Sequence, residues 1–237
     1  MSLILLIETS TSACSVALLQ NDAVLGIKRL QEPRMQASLL VPLVQQLLKE
    51  YQMTLSQCAA VGISAGPGSY TGLRVGVSTA KGLCFGANKP LISINSLEVI
   101  SQNCIDFLST KDAFPPDSMI VPMIDAHRME VYTAKYSLGG GEISPTEAKI
   151  IDTESFREEL ALGKVIFTGD GAEKCRSLLE HPNAHFVPLS PSAEGLRFAA
   201  YRAFQQKKFE DLAYFEPFYL KDFITNRALQ LPLPTDP

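Results

Sequence analysis

Residues 3–30 read LILLIETSTSACSVALLQNDAVLGIKRL, and this opening decides the fold. Leu3 to Ile7 is an unbroken apolar run, the pattern of a strand buried on both faces. It has no basic flank, and Glu8 ends it after five apolar residues, so a strand is a better reading than a signal segment. With Leu3–Thr9 as the first strand, Ala13–Gln20 and Asp22–Leu30 read as two more, joined by a tight hairpin at Asn21-Asp22. Gln36–Tyr51 has helical periodicity, and Pro42 is expected to bend that helix or delay its start. Ala59–Ala65 is a second buried strand, Thr71–Gly86 a helix and Pro90–Asn95 a strand, and Ser96 caps a helix to Leu108. Beyond a boundary at Ser109–Ser118, strands are expected at Met119–Asp125, Val131–Ser137, Ala148–Asp152 and Lys164–Thr168. Helices are expected at Thr153–Leu162, Ala172–Glu180 and Ser192–Gln206. This order predicts an α/β protein of two lobes, residues 1–109 and 110–237, with an internal duplication of architecture.

Composition narrows the chemistry. The chain has 237 residues, 46% hydrophobic and 19% charged, which suits one large domain or two lobes and excludes wholesale disorder. A net charge of −4 opposes a stand-alone nucleic-acid binder that works by neutralising phosphates. Five scattered cysteines without Cys-x-x-Cys spacing indicate a reducing, cytoplasmic setting and no cysteine zinc site. No apolar run is long enough to span a membrane. His181 and His185 have metal-ligand spacing, but Pro182 between them opposes the helix it requires, and an exposed loop is expected. No Ser/His/Asp triad assembles, so no catalytic residue and no metal ligand is assigned.

Seven of the 15 glycines fall between Gly62 and Gly86. The loop Gly66-Pro67-Gly68-Ser69 joins a strand to a helix, where Gly66 and Gly68 could cradle phosphate on backbone N–H groups. It lacks the P-loop lysine, and Thr71 replaces the third glycine of a dinucleotide fingerprint. Thr9, Ser10 and Thr11 form a hydroxyl-rich turn behind Glu8, suited to phosphate and Mg²⁺ or simply to a turn. Gly72, Gly76 and Ala80 form a smooth helical stripe, open either to the chain's own sheet or to a second helix. Gln36–Leu48 carries no charged residue, and its apolar positions (Leu39, Leu40, Val41, Leu43, Val44, Leu47 and Leu48) occupy more than one face. Two neighbouring helices without a polar face suggest either a protein–protein interface or a deeply buried core. Asp125 to Glu130 reads as a salt-bridged turn, with His127 as general base the sharper alternative. The aromatics Tyr214, Phe215, Phe218, Tyr219 and Phe223 either pack back on the body or dock a partner.

These pieces in order, with Gly66-Pro-Gly-Ser-Tyr-Thr-Gly-Leu-Arg74-Val-Gly76 the most specific, resemble the bacterial TsaB (YeaZ) proteins. The others are Lys81-Gly82-Leu83, Asn95-Ser96-Leu97-Glu98, Asp125 to Tyr132, Gly169-Asp170-Gly171-Ala172 and Pro217 to Lys221. The resemblance implies a two-lobed actin/hexokinase/Hsp70-like (ASKHA, ribonuclease H-like) fold. It also implies a non-catalytic subunit for N6-threonylcarbamoyladenosine formation at position 37 of tRNA, acting as partner and activator of the TsaD transferase. A TsaE-like ATPase and a TsaC-like carbamoyl-AMP synthase would complete the machinery, with homodimers formed in isolation and tRNA contacted indirectly. The implied partner face lies on the first two helices: Gln36, Leu39, Leu40, Leu43, Val44, Leu47, Gly72, Arg74, Val75, Gly76 and Thr79. No cofactor is required; ATP or ADP with Mg²⁺ would sit in the inter-lobe or heterodimer cleft near Thr9, Ser10, Thr11, Gly66, Gly68, Gly169 and Gly171. The chain departs from the family at Glu8 (usually Asp), at His127 (usually Arg) and at Gln36, where many members keep a histidine. The competing class is an enzyme, an ASKHA-type small-molecule kinase using Asp125 or a glycoprotease-like metallopeptidase.

Overall fold

The computed structural model describes residues 2–30, 35–109 and 114–221. Strands β1 (Leu3–Glu8), β2 (Ser15–Gln20) and β3 (Ala23–Arg29) form an antiparallel meander. Helix α1 (Gln36–Glu50), strand β4 (Ala60–Gly66), helix α2 (Tyr70–Ala87), strand β5 (Leu91–Asn95) and helix α3 (Ser96–Ser109) follow. β4 pairs parallel with β1 and β5 parallel with β4, giving the order β3-β2-β1-β4-β5. The second half comprises β6 (Met119–Asp125), β7 (Glu130–Ser137), β8 (Glu142–Ile150), α4 (Arg157–Leu162), β9 (Val165–Thr168), β10 (Ala184–Val187) and α5 (Arg197–Gln205). Its sheet order is β8-β7-β6-β9-β10, with the same antiparallel and parallel pairings. The expected duplication is therefore present strand for strand.

β1 is buried along its whole length because both of its faces are covered. Alternation sends Leu5 and Ile7 toward Leu40, Val44 and Leu47 of α1 and Val77 of α2. Ile4 and Leu6 face Ala193, Leu196, Ala199 and Ala200 instead. The C-terminal helix α5 thus returns to the first sheet, and the apolar second face of β1 is what it covers. In exchange, α3 lays Leu97, Ile100 and Cys104 on Ile120, Ile124 and Ile166 of the second sheet. A division at residue 109 separates the sheets but not the helices that cover them. The residues 110–113 of the expected boundary lie outside the described residues.

Several local expectations change. Pro42 does not delay the start of α1, since Ser38 and Pro42 both face solvent and water can satisfy the carbonyl that proline leaves free. Asn95, not Ser96, caps α3 by accepting the Leu97 N–H at 2.8 Å, while the Ser96 hydroxyl accepts the Gly66 N–H at 3.0 Å. The helix expected from Thr153 shrinks to α4, because the Ser155 hydroxyl and the Asp152 carboxylate bond each other and nearby backbone N–H groups. The helix expected at Ala172–Glu180 is only a 3₁₀ turn at Glu173–Cys175. The strand expected at Ala148–Asp152 is the end of the longer β8. His185 lies not in an exposed loop but on β10, half-buried and edge-on to Phe114 at 5.0 Å.

The small stripe on α2 has an intramolecular answer. A side chain at Gly72 would overlap the carbonyl oxygen of Thr9, and one at Gly76 would overlap the Thr9 hydroxyl. The turn after β1 therefore lies directly on α2, and the glycines make room for it. Gly76→Ala should destabilise the chain by about 1–3 kcal/mol, the overpacking range, although alanine is the better helix former. Thr9→Ala should restore part of that loss, because it removes the colliding hydroxyl. It should not rescue Gly72→Ala, which meets backbone. Denaturant unfolding of the single and double variants measures this, and equal rescue of both glycine variants would contradict the packing.

Candidate functional site

A cleft of about 1280 Å³ runs between the two sheets. One wall is built by the turn after β1 and the entry to α2, with Ser10, Thr11, Gly68, Tyr70 and Arg74. The opposite wall is the β6–β7 hairpin, with Asp125, His127, Arg128 and Glu130. The C-terminal strap, residues 209–221, closes one side. Glu210 donates its N–H to Leu91 and Phe218 donates its N–H to Ala65 at 2.7 Å. Tyr219 stacks on Tyr70 with ring centroids 5.3 Å apart, and Lys221 pairs with Glu130 across the cleft. Of the tail aromatics, Phe215 packs on the first core, Phe218 and Tyr219 touch the body but stay exposed, Tyr214 is the most exposed, and Phe223 lies outside the described residues.

Of the four glycines expected near a nucleotide, Gly68 lines the cleft and Gly66, Gly169 and Gly171 do not. Gly66 has φ +119, and the Phe218 carbonyl occupies the space where a side chain would stand. Its N–H is taken by Ser96, and the Ser69 N–H is taken by the Ser10 carbonyl at 2.7 Å. Gly68 makes room for that same carbonyl, while Gly169 and Gly171 sit against the backbone of β6. Of the residues expected to meet nucleotide, Ser10, Thr11 and Gly68 reach the cleft. Thr9, Gly66, Gly169 and Gly171 serve packing.

Glu8 does not fit a magnesium site. It is fully buried, and its Oε1 accepts both the N–H and the hydroxyl of Ser10 at 2.6 Å. Its Oε2, the Thr9 hydroxyl and the Ser64 hydroxyl are buried without a hydrogen bond of normal geometry, although Ser64 lies close enough to influence the carboxyl. Among the described residues no three acids, histidines or cysteines gather around one point. The buried thiols are also quiet: desolvation pushes Cys14 and Cys58 up to about 11 and Cys84 and Cys104 up to about 12.

The facing hairpin is the salt-bridged turn expected from its sequence. Burial would raise the Asp125 pKa, but the Lys174 ammonium and the His127 N–H outweigh it and hold the carboxyl below its ordinary value. His127, Arg128 and Met129 form the turn, closed by the Ala126 N–H on the Glu130 carbonyl and the Glu130 N–H on the His127 carbonyl, and His127 and Arg128 adopt positive φ, 69° and 49°. Left-handed backbone favours glycine or asparagine, so side chains are held here at a conformational cost.

The expected partner face is only partly a surface. Leu40, Leu43, Val44 and Leu47 are buried in the first sheet's core, and Gly72 and Gly76 lie under Thr9. The reason is that α1 and α2 are the cover of β1. Arg74 turns into the cleft, where it stacks on Tyr70 at 4.2 Å. Gln36, Leu39, Val75 and Thr79 remain partly accessible, and the Gln36 amide donates to the Ser12 carbonyl. Val41, Ser78, Gly82, Phe85 and Gly86 are exposed beside them and were not in the expected set. The i, i+4 spacing of Gly82 and Gly86 was the available signal.

Burial outweighs the Ser10 hydrogen bonds and holds the Glu8 pKa above its ordinary value, so the folded state binds this proton more tightly than the unfolded chain. Its stabilising contribution is complete below the unfolded-state pKa and is lost as pH rises through the folded-state value. Glu8→Gln keeps the acceptor for Ser10 and supplies a donor beside orphaned hydroxyls. It should raise Tm at pH 8 by about 2–4 °C, roughly 1 kcal/mol in a chain of this size, and flatten the fall of Tm from about pH 5 upward. A lower Tm for Glu8→Gln at pH 8 would show that the carboxylate is charged and solvated there.

The geometry can be set beside known proteins. The family model described as TsaD, tRNA N6-adenosine threonylcarbamoyltransferase, matches residues 33–231. The Escherichia coli (strain K12) tRNA threonylcarbamoyladenosine biosynthesis protein TsaB is 30% identical over 234 residues, covering 95% of this chain and 97% of that protein. Haemophilus influenzae TsaB is 36% identical over 129 residues, 54% of this chain and 51% of that protein. The solved structure of YeaZ from Pseudomonas aeruginosa superposes with a TM-score of 0.77 at 28% identity, covering 93% of this chain and all of that one. With a full-length relative, a matching family model and the same duplicated two-sheet fold, the chain belongs to the TsaB (YeaZ) family of tRNA threonylcarbamoyladenosine biosynthesis proteins.

Proposed function

We propose that this chain is a non-catalytic, cytoplasmic subunit of the machinery that forms N6-threonylcarbamoyladenosine in tRNA. It docks on a TsaD-like transferase and holds that enzyme competent. A TsaE-like ATPase and a TsaC-like carbamoyl-AMP synthase act with the same assembly, the chain pairs with itself when alone, and tRNA is met through the partner.

The observation that carries the docking face is the state of α2's glycines. Gly72 and Gly76 are explained by Thr9, but a side chain at Gly82 or Gly86 would meet nothing within 4 Å. Each of these glycines costs the helix about 1 kcal/mol relative to alanine with no return inside the chain. Phe85 between them is 84% exposed, and on the adjoining α1 Val41 is 42% exposed. The exposed positions from Ala37 to Gln46 are uncharged. A smooth, charge-poor surface with one prominent aromatic suits close approach by a second helix. The non-catalytic reading draws support from Asp125, the cleft acid a kinase would use as base, whose carboxylate is held by Lys174.

Gly82→Arg places a long side chain on this face without touching the core. The isolated chain should keep its Tm or gain slightly, while co-purification with the cognate TsaD-like transferase is lost and threonylcarbamoyl transfer to tRNA falls at least about tenfold, or 1.4 kcal/mol. Full complex formation by Gly82→Arg would remove the docking face from α2.

A further inference from the structure

We propose that the C-terminal strap, residues 209–221, is a latch that holds the two lobes closed over the cleft, with the Lys221–Glu130 ion pair as its catch. The proposal stands independently of the docking face. The hinge it works against lies along α3. Between the lobes the chain crosses twice, from α3 to β6 and from β10 to the helical turn Ala193–Leu196 that precedes α5. Both crossings border α3. The first leaves its C-terminal end, and in the second the Ser192 N–H donates to the side-chain oxygen of Asn103 at 2.9 Å. At the start of α3 the Asn95 amide donates to the Thr146 hydroxyl of β8 at 2.9 Å. α3 also packs on both sheets, through Val99 on the first and through Leu97, Ile100 and Cys104 on the second. The lobes are therefore joined along α3, and a rotation about it changes the width of the cleft.

The strap reaches the cleft from the opposite face of the first sheet. Leu212 and Phe215 pack with α1 and α2 in the core on one face, whereas Val99 of α3 lies in the core on the other. Up to Tyr219 the strap belongs to the first lobe. Glu210 donates its N–H to Leu91 and accepts the Ser93 hydroxyl. Lys81 donates to the carbonyls of Ala213 and Phe215, at 3.4 and 2.9 Å. The Phe218 N–H donates to Ala65, and Tyr219 is held by Tyr70 and Arg74. Two residues further on, Lys221 meets Glu130 of β7, in the second lobe, at 2.5 Å. Glu130 is itself fixed, since its carbonyl accepts from Lys174 and its N–H donates to the His127 carbonyl. A rooted arm thus carries one cation to a rooted anion on the far side of the cleft. Lys221 is about half exposed, and an ion pair of this kind shifts an equilibrium by no more than about fivefold. The catch can therefore release without unfolding either lobe.

The test is double electron–electron resonance on the full chain, spin-labelled at Ser78→Cys on α2 and Ile143→Cys on β8, both exposed. The five native cysteines are buried and stay unlabelled. Lys221→Glu turns the attraction into repulsion and should raise the population of the open-lobe distance relative to the closed one about threefold to tenfold. Salt at about 1 M should move the parent in the same direction. Glu130→Lys should open the cleft as Lys221→Glu does, and the Lys221→Glu/Glu130→Lys double variant should return to the parent distribution. Lys208→Gln, before the strap begins, should leave the distribution unchanged. Each variant should keep the parent's far-ultraviolet circular dichroism, so that a changed distance reports lobe opening and not unfolding. Unchanged distances in Lys221→Glu, or a double variant as open as the single ones, would overturn the proposal.

Discussion

The seat of Thr9 against the glycines of α2 is the contact on which the first lobe depends. β1 is buried on both faces, so the chain leaving it must turn without exposing the strand's end or burying unpaired backbone. The turn does this by lying on α2, with the Ser10 carbonyl accepting the Ser69 N–H and the Glu8 carboxyl holding Ser10 from below. Glycine at 72 and 76 is the condition for that approach. The loop between Gly66 and Ser69 is fixed by the same contacts, and so is the near wall of the cleft.

Two surfaces follow from this one constraint. Because α1 and α2 must cover β1, most of their apolar positions point inward, and Val41, Gly82 and Phe85 are among what remains outside. The turn and the loop hold each other through the N–H groups of Ser10 and Ser69, and side chains from both halves line the cleft beside them. The strap ties the two together. Lys81 of α2 holds the Phe215 carbonyl at 2.9 Å, Arg74 holds Tyr219, and Lys221 reaches the facing hairpin.

Much of the fold was legible in the sequence. The apolar run at Leu3–Ile7 and the hairpin at Asn21-Asp22 place the opening meander within a residue or two, and the second lobe repeats its topology. Less legible was which way each helix faces. Gln36–Leu48 lacks charge both because one side is core and because the other is bare, and periodicity alone does not separate those causes. The glycine stripe at 72 and 76 misled for a similar reason, since composition shows that something approaches closely but not whether it belongs to the same chain. The return of α5 to the first sheet was hidden because nothing local in residues 193–205 names the distant β1 as its partner. Arg74 was placed on the partner face by the resemblance, and nothing local in its helix shows that its side chain turns into the cleft onto Tyr70.

The central claim is that α2 divides its glycines, one pair for the chain's own turn and one pair for a partner. Hydroxyl-radical footprinting of the chain with and without its transferase partner tests this most directly, because labelling reads side-chain exposure in the intact complex. Labelling of Phe85 and Val41 should fall severalfold on complex formation, while Leu162, equally exposed on the second lobe, keeps its labelling. A complex that forms with Phe85 labelled as heavily as in the free chain would contradict the account.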